Sequence, residues 1–186
     1  MNPTNDVNVV AKLRYYPNTS LSTRTQLVPN PDNVKHLVTL MFDTMTVHQG
    51  IGLAANQIGV GYRIFVMRTE DLRRAFINPT LKPVTDAGTI EFEERCLSFP
   101  GVAVKMNRYK EVDVEYENLQ GEINTLRLNG IESICAQHEI DHLDGKTFVD
   151  HLGKIKRSLI ENKIKKKLKE YKCQQDGIHA LPASKI

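Results

Sequence analysis

The sequence predicts an α+β fold: a single domain in which antiparallel strands pack around a central helix, with one helix before the strands and a basic helix after them. Three observations support this. Apolar residues between 34 and 45 recur at helical spacing, residues 62–128 alternate or cluster as strands do, and helical patterning returns after residue 130. Strands collected mid-chain with helices at both ends are typical of α+β proteins.

Length and composition fit one domain covering residues 1–186. A chain of 186 residues buries roughly 70% of its extended surface on folding, enough for a core without disulfide staples. The chain has three cysteines, Cys96, Cys135 and Cys173. An odd number of cysteines argues against a disulfide framework. The chain begins without a secretory signal, and no run reaches the roughly 20 apolar residues of a membrane span. We therefore expect a cytoplasmic protein with no membrane partner.

The first helix is expected to begin at Asn30, with Pro31 at its first helical position and Asp32 in its first turn. It should continue to about His48. Its one-sided apolar stripe consists of Val34, Leu37, Val38, Met41, Phe42 and Met45. A stripe of this kind faces a core, so we assign no cofactor role to its methionines.

Strands are predicted at residues 63–67, 75–78, 81–84, 88–93, 112–116 and 123–128. Pro79 is expected to end the second of them, because proline cannot donate to a ladder. Asn118 and Gly121 mark a turn between the last two strands, which should therefore pair as a hairpin.

Two stretches beside these strands differ from their surroundings. Residues 49–57 are rich in Gly and Ala, so their backbone is expected to approach another group closely, although a helix C-cap and turn would also explain the glycines. Gln57 at the end of this stretch is a candidate to point an amide at a substrate. Cys96 lies in a polar, turn-like stretch (93–101), where we expect a more accessible thiol than in a core.

Residues 137–142 carry two imidazoles and two carboxylates on the predicted central helix. At about 100° per residue, His138 and His142 lie on one face, which suits a divalent metal ion and leaves Glu139 free to move protons. A polar helix surface with two incidental histidines is the alternative, but the Glu directly after the first His favours the metal. Cys135 is a rival third ligand, although three ligands on one straight helix would have to converge on one point.

The positive charge of the chain is concentrated near its C-terminus. Residues 153–172 contain nine Lys/Arg and two Glu, a local charge of +7, so the remainder carries −4 of the total of +3. Attraction to a polyanion is therefore expected from this region, and simple solvation of its lysines is the equally weighted alternative. Residues 174–186 are expected to fray. The apolar side of the predicted helix consists of Ile160, Ile164, Leu168 and Tyr171.

Three separated stretches together resemble the three signature motifs of the peptide deformylases. They are Gly50-Ile51-Gly52-Leu53-Ala54-Ala55-Asn56-Gln57, Glu94-Arg95-Cys96-Leu97-Ser98 and Gln137-His138-Glu139-Ile140-Asp141-His142. The third alone could be shared with zinc proteases, but the ordered set is specific, and the resemblance covers about residues 10–171. It implies hydrolysis of the N-formyl group from the formyl-methionine of new polypeptides. In the family's mechanism Glu139 would pass the proton of a metal-activated water to the departing amine, releasing formate.

The same resemblance implies a metal centre and an oxyanion site. The ligands would be Cys96, His138 and His142, which make the central helix the metal-binding one. Ferrous iron is the implied metal, and Zn²⁺, Ni²⁺ or Co²⁺ would also suit these ligands. The Gln57 amide and the Leu97 backbone N–H would donate to the oxyanion on the formyl oxygen.

The resemblance also assigns residues that would bind the substrate and residues that would hold the metal-binding helix in place. Arg108 would hold Asp141 and thereby steady that helix. Cys135 becomes a wall of the methionine pocket rather than a ligand. The positions that match substrate-binding residues are Ile51, Gly52, Phe92, Glu94, Ile131, Ile134 and Cys135.

One position departs from the family pattern. Members commonly have Gly just before the cysteine, whereas this chain has Arg95. If the position needs a positive φ, a non-glycine residue is strained there. If it needs only close backbone approach, Arg95 can point to solvent, and we expect activity to be retained. Two alternatives stay open: a His-Glu-x-x-His metalloprotease with its third ligand downstream of His142, and a ribosome-binding relative impaired by Arg95.

The expected partners are N-formyl-methionyl nascent chains and, through the basic C-terminal helix, the ribosome. We expect no sequence-specific nucleic-acid binding, and we expect a monomer.

Overall fold

The computed structural model describes residues 10–179, with side chains up to residue 170. Three α-helices flank or interrupt seven strands in this range, which confirms the α+β class. The helices are α1 (Lys35–Val47), α2 (Gly130–Leu143) and α3 (Lys154–His179). The strands are β1 (Gly52–Ala54), β2 (Ile64–Arg68), β3 (Arg73–Pro83), β4 (Thr89–Arg95), β5 (Ala103–Tyr109), β6 (Glu111–Glu117) and β7 (Ile123–Asn129).

The strands form two antiparallel sheets. Five of them pair in the order β1-β2-β3-β6-β7, and β4 with β5 makes a separate ribbon. Alternate residues of β2 face opposite sides of the larger sheet. Ile64 and Val66 pack in the cluster that contains α1, whereas Phe65 and Met67 pack in the cluster that contains α2. The sheet therefore separates the two helices, with α2 on one face and in reach of the ribbon.

Helix α1 follows the predicted start and end closely. Asn30 caps a single 3₁₀ turn by accepting a hydrogen bond from the Asp32 N–H at 3.0 Å, and α1 continues from that turn to a C-cap at His48. The predicted stripe is buried except at Leu37, which is partly buried against the same cluster.

The expectation that Pro79 ends a strand is wrong. Strand β3 runs through Pro79, and its register against β6 shifts at this point as a β-bulge. The preceding Asn78 has a φ of 51°, and its side chain bonds both the N–H and the C=O of Val28, at 2.8 and 3.0 Å. Proline is tolerated at a bulge because the ladder is already interrupted there.

Strand β5 was not among the predicted strands. Its buried positions alternate with exposed ones and include Val104, Met106 and Arg108. A period of two was therefore present in the sequence, but the buried arginine breaks the apolar pattern by which strands are recognised.

Helix α3 packs its predicted apolar side against the protein. Ile164 is buried, and Ile160 and Leu168 are partly buried against the cluster that contains Cys96. The side chain of Tyr171 lies outside the described residues. Of the stretch predicted to fray, the backbone of residues 174–179 is helical and residues 180–186 are not described.

No helix within residues 10–179 is long and apolar enough to cross a membrane.

Candidate active site

Two elements bring together three possible metal ligands. Helix α2 places the rings of His138 and His142 one turn apart, with centroids 5.0 Å from each other. Cys96 follows directly after β4, and its Sγ lies 3.2 Å from His142 Nε2. The three donor atoms lie within 4.8 Å of one another and are buried. A thiolate with two imidazoles at this spacing fits a divalent transition metal.

Cys96 is less accessible than its polar sequence surroundings predicted. Its exposed fraction is 9%, because it packs in a cluster with Phe99, Val102 and Phe148. The expectation of an accessible thiol was therefore wrong, because Phe148 and Ile164, which are distant in sequence, pack in the same buried cluster as Cys96.

Cys135 is not part of the ligand cluster among the described residues. Burial, reinforced by the nearby Glu139 carboxylate, raises the pKa of its thiol well above the ordinary value. The residue lines the cavity beside the ligand cluster. Cys135 is therefore placed as a wall of the site.

A buried ionic network supports the metal helix. Glu94 Oε2 lies 2.8 Å from His138 Nδ1, and the Arg108 guanidinium donates to both Glu94 oxygens at 2.6 and 3.1 Å. Arg108 Nη1 also donates to Asp141 Oδ2 at 2.7 Å, the contact that the family resemblance implied. His151 Nε2 lies 2.9 Å from the same Asp141 oxygen. The network fixes the orientation of the His138 ring and directs its Nε2 into the ligand cluster.

Two parts of this network were missed at the sequence level. Glu94 was assigned to substrate binding; it does line the cavity, but its carboxylate is engaged by His138 and Arg108. Burial raises the Glu94 pKa, but the hydrogen bonds from His138 and Arg108 outweigh burial, so the pKa lies below its ordinary value. The contact between His151 and Asp141 was also not predicted, because nothing in the sequence beyond the presence of a histidine indicated it.

Gln57 points its amide at the sulfur side of the site. Its Oε1 accepts from the Ala54 N–H at 2.8 Å, which fixes the side-chain orientation. Its Nε2 then donates to Ser98 Oγ at 3.2 Å and lies 3.5 Å from Cys96 Sγ. Ser98 is fully buried. At the sequence level it was named only as part of the second motif and was given no role. A donor beside the ligand cluster is available for a developing negative charge.

Glu139 lies on α2 next to the ligands and is 4% exposed. Burial raises its pKa to about 7, with the positive charge on His138 opposing and Glu94 adding to the rise. Its Oε2 is buried without a hydrogen-bond partner in the described part of the chain. A carboxylate with this pKa can both accept and release a proton near neutral pH.

One cavity of about 630 Å³ joins these groups. All of the predicted substrate-binding positions line it, together with Gln57, Leu97 and Glu139. Three of the lining apolar side chains remain substantially exposed: Ile51 at 43%, Phe92 at 37% and Ile131 at 42%. The structure adds residues that the sequence did not single out, among them Leu13, Tyr15 and His48.

Arg95 is not strained by its position. Among the described non-glycine residues, positive φ values occur at Gln49 and Asn78, so Arg95 lies outside that region. Its side chain is 75% exposed and contacts Glu93 Oε1 at 3.4 Å. The long cation therefore extends from the rim of the cavity into solvent.

Comparisons with known proteins agree in sequence and in fold. A family model described as polypeptide deformylase matches residues 10–158. A peptide deformylase of Aquifex aeolicus (strain VF5) is 43% identical over 171 residues, covering 88% of this chain and 100% of its own length. The crystal structure of a peptide deformylase from Legionella pneumophila matches with a TM-score of 0.80 at 35% identity, covering 90% of this chain and 98% of its own. A peptide deformylase from Ehrlichia chaffeensis in complex with actinonin matches at 0.79 with 34% identity, over 85% and 97%.

Proposed function

The chain belongs to the polypeptide deformylase family, and on that premise we propose that it removes the formyl group from the N-terminal formyl-methionine of newly made polypeptides and releases formate. The observation that carries the proposal is a cluster of three possible metal ligands, Cys96, His138 and His142, two of which line one cavity with Glu139 and Gln57.

The proposed cofactor is a divalent metal ion held by Cys96, His138 and His142. The buried donor atoms and the carboxylate behind His138 support this assignment. Ferrous iron, which the family resemblance implies, is the proposed occupant, and Zn²⁺, Ni²⁺ or Co²⁺ would suit the same ligands. When bound, the ion supplies a Lewis acid that makes water a nucleophile at neutral pH.

Glu139 is the proposed proton carrier. It accepts a proton from the water that attacks the formyl carbon, and it delivers that proton to the nitrogen as the C–N bond breaks. Formate and a free α-amino group result. Its position on α2 beside the ligand residues and at the wall of the cavity supports this role.

Gln57 and Leu97 are the proposed oxyanion donors. The bond from the Ala54 N–H to Gln57 Oε1 leaves the Gln57 Nε2 group directed at the ligand side of the cavity. Leu97 follows Cys96 directly and lines the same cavity. Donors that are oriented before the reaction stabilise the developing charge without reorganising during it.

Methionine selection is assigned to the apolar wall. Ile51, Phe92 and Ile131 are exposed large apolar side chains at a cavity, which a methionine side chain would cover. Gly52 in the short edge strand β1 lies beside them. An extended substrate could pair with that edge as an added strand.

The two alternative functions have less support. A metalloprotease of the His-Glu-x-x-His type would need a third ligand downstream of His142, whereas the ligand cluster among the described residues draws its third member from Cys96. Impairment by Arg95 would require strain or obstruction, and that side chain is unstrained and exposed.

The experiment that tests the function is incubation of the protein, loaded separately with Fe²⁺, Ni²⁺ and Co²⁺, with formyl-Met-Ala-Ser. We expect equimolar release of formate and of a free α-amino group. Acetyl-Met-Ala-Ser is the matched substrate, because it tests whether the site distinguishes formyl from the larger acyl group. Absence of formate with every metal bound would reject the proposal.

For the C-terminal helix we propose electrostatic docking on the ribosome. Lys163, Lys166 and Lys169 are exposed on α3, while Ile164 on the same helix is buried. Replacing the three lysines by glutamine should therefore weaken ribosome co-sedimentation and its salt dependence without unfolding α3. The control replaces Lys12, Lys82 and Lys110, which are exposed on the body and carry the same total charge. Equal binding by both triple variants would count against the proposal.

We further propose that the protein acts in the cytoplasm, because its proposed substrate is a newly made chain, and that it is a monomer. Light scattering that gave twice the mass of one chain would contradict the monomer.

A further inference from the structure

A second groove lies outside the active site, where the first residues of β3 extend past the end of β6. Its volume is about 620 Å³, and it is enclosed by the first half of α1, the start of β3 and the turn between β6 and β7. Within the described residues, its lining and that of the active-site cavity have no member in common. A ligand in this groove would leave the active site open.

The groove is lined by cations without acids. Lys35, Arg73 and Arg74 contribute to its wall, and no Asp or Glu does so within residues 10–170. The Lys35 Nζ lies 2.5 Å from Asp32 Oδ1, but the two side chains are 52% and 65% exposed, so exchanging this partner costs little. The positive lining is unexpected in a body whose net charge, apart from residues 153–172, is −4.

The two arginines have no carboxylate partner in the described chain, although both have aromatic ones. Arg73 also borders a neighbouring groove that contains Glu70 and Asp71, yet it forms no ion pair with either. Its guanidinium instead lies 3.9 Å from the centroid of the Phe42 ring. Five other arginines do form ion pairs: Arg63, Arg95, Arg108, Arg127 and Arg157.

The aromatic contacts hold both guanidiniums in place. The Arg74 guanidinium is 5.9 Å from the Tyr116 ring centroid, and its Nη1 donates to Tyr116 Oη at 2.5 Å. Phe42 and Tyr116 are themselves buried, at 5% and 3% exposure, so the core fixes their positions. Arg73 stacks on its ring and keeps N–H groups at its edge for an acceptor, and Arg74 uses Nη1 on the Tyr116 hydroxyl and keeps its other N–H groups.

We propose that this groove binds a phosphate-bearing anion, with Arg73 donating to it from the α1 side of the sheet, Arg74 donating from the opposite side, and Lys35 adding charge from α1. The fork of an arginine matches two phosphate oxygens at once. Three cations favour a multiply charged ligand over a single carboxylate, because each further negative charge gains a separate partner. The phosphate could belong to a small di- or triphosphate or to the backbone of an RNA, and the groove is large enough for either.

The test follows the arginine Nε–H resonances during titration with inorganic pyrophosphate. We expect saturable shifts at Arg73 and Arg74, and affinity about tenfold weaker or worse in the double variant Arg73→Gln/Arg74→Gln, which loses both forks. The matched control Arg24→Gln/Arg127→Gln removes the same charge from exposed residues outside the groove and should bind as the unmodified protein does.

Two further measurements complete the test. Lys35→Gln removes an exposed cation and should also weaken pyrophosphate binding, which keeps the proposal testable if the double arginine variant does not fold. A twelve-nucleotide single-stranded RNA that displaces pyrophosphate from Arg73 and Arg74 would assign the site to RNA, and no displacement would assign it to a small phosphate. Absence of saturable shifts at both arginines, or equal pyrophosphate affinity in the two double variants, would overturn the proposal.

Discussion

Glu139 is the residue whose chemistry can be separated most cleanly from metal binding. The substitution Glu139→Gln keeps its shape and removes the carboxylate, so no group remains to accept the water proton. We expect formate release to fall by about 10²- to 10⁴-fold, the usual contribution of general acid–base catalysis. Metal content should be unchanged, because Glu139 lies outside the cluster of ligand atoms. An active variant, or one that has lost its metal, would contradict the assigned role.

Asp141 should make stability depend on pH on the acid side. Burial raises its pKa, but the hydrogen bond from His151 and the charge of Arg108 outweigh burial, and the pKa lies below its ordinary value of 3.8. A depressed carboxyl pKa means that the unfolded state binds the proton more readily. Its stabilisation is therefore fully present above about pH 4 and is lost as pH falls through the folded-state pKa.

The measurement is the free energy of unfolding of the unmodified protein and of Asp141→Asn at pH 7 and pH 3. We expect the unmodified protein to be more stable at pH 7 and the difference to shrink at pH 3. Asp86→Asn changes an exposed carboxylate elsewhere and should give little difference at either pH. A gap that stays constant or widens towards pH 3 would contradict the role of the network.

Individual residues of the site were predictable where a short local pattern carries their chemistry. His138, Glu139 and His142 lie within one helix turn and a half, so helical geometry alone brings them together. The link from Glu94 to His138 spans 44 positions along the chain. Such a contact depends on how β4 packs against α2, and no local pattern encodes that packing.

At the scale of elements, the site depends on the close approach of β1 to α2. A Cβ atom added at Gly52 would lie 2.5 Å from Glu139 Oε1 and 2.6 Å from Cys135 Sγ. Both distances are too short, so Gly52→Ala must displace the carboxylate or separate the two elements. We expect at least a tenfold loss of formate release, about the cost of a small misplacement at a reacting group, with the metal retained.

Gly61→Ala is the matched control for that substitution. A Cβ at Gly61 meets no heavy atom within 4 Å, so its activity and stability should be close to those of the unmodified protein. Unchanged activity of Gly52→Ala would show that the approach of β1 to α2 does not position Glu139.

Helices and strands were predictable where the apolar pattern was unbroken. They were predicted wrongly where a proline or a buried arginine interrupted that pattern. The stripe on α1 located that helix to within a few residues, because every position of the stripe is apolar. Pro79 was expected to end a strand, but β3 continues through it at a β-bulge. The Asn78 side chain holds this bulge by bonding Val28, a residue 50 positions away in the sequence. Arg108 concealed β5 because the carboxylates that make its burial tolerable lie on β4 and α2.

At the scale of the whole molecule, the fold brings together three segments that the sequence keeps apart. The larger sheet holds β1 beside α2, and the ribbon holds Cys96 against the end of the same helix. Helix α3 closes the cluster around Cys96 through Ile164. The α+β class could be predicted from periodicity, and the ligand set was implied by the resemblance of three motifs to the peptide deformylases. The enclosure of the thiol and the cationic groove could not, because both arise from residues brought together only by tertiary packing.

The proposed activity depends on a metal ion held by Cys96, just after β4, and by His138 and His142 on α2, and the metal content of Cys96→Ala tests this most directly. Elemental analysis and formate release should be measured on the same sample, with Cys135→Ala as the control, since that thiol is also buried at the cavity but is not a ligand. We expect Cys96→Ala to fold, to lose its bound metal and to release no formate, whereas Cys135→Ala keeps its metal. Retention of metal and formate release by Cys96→Ala would contradict the account.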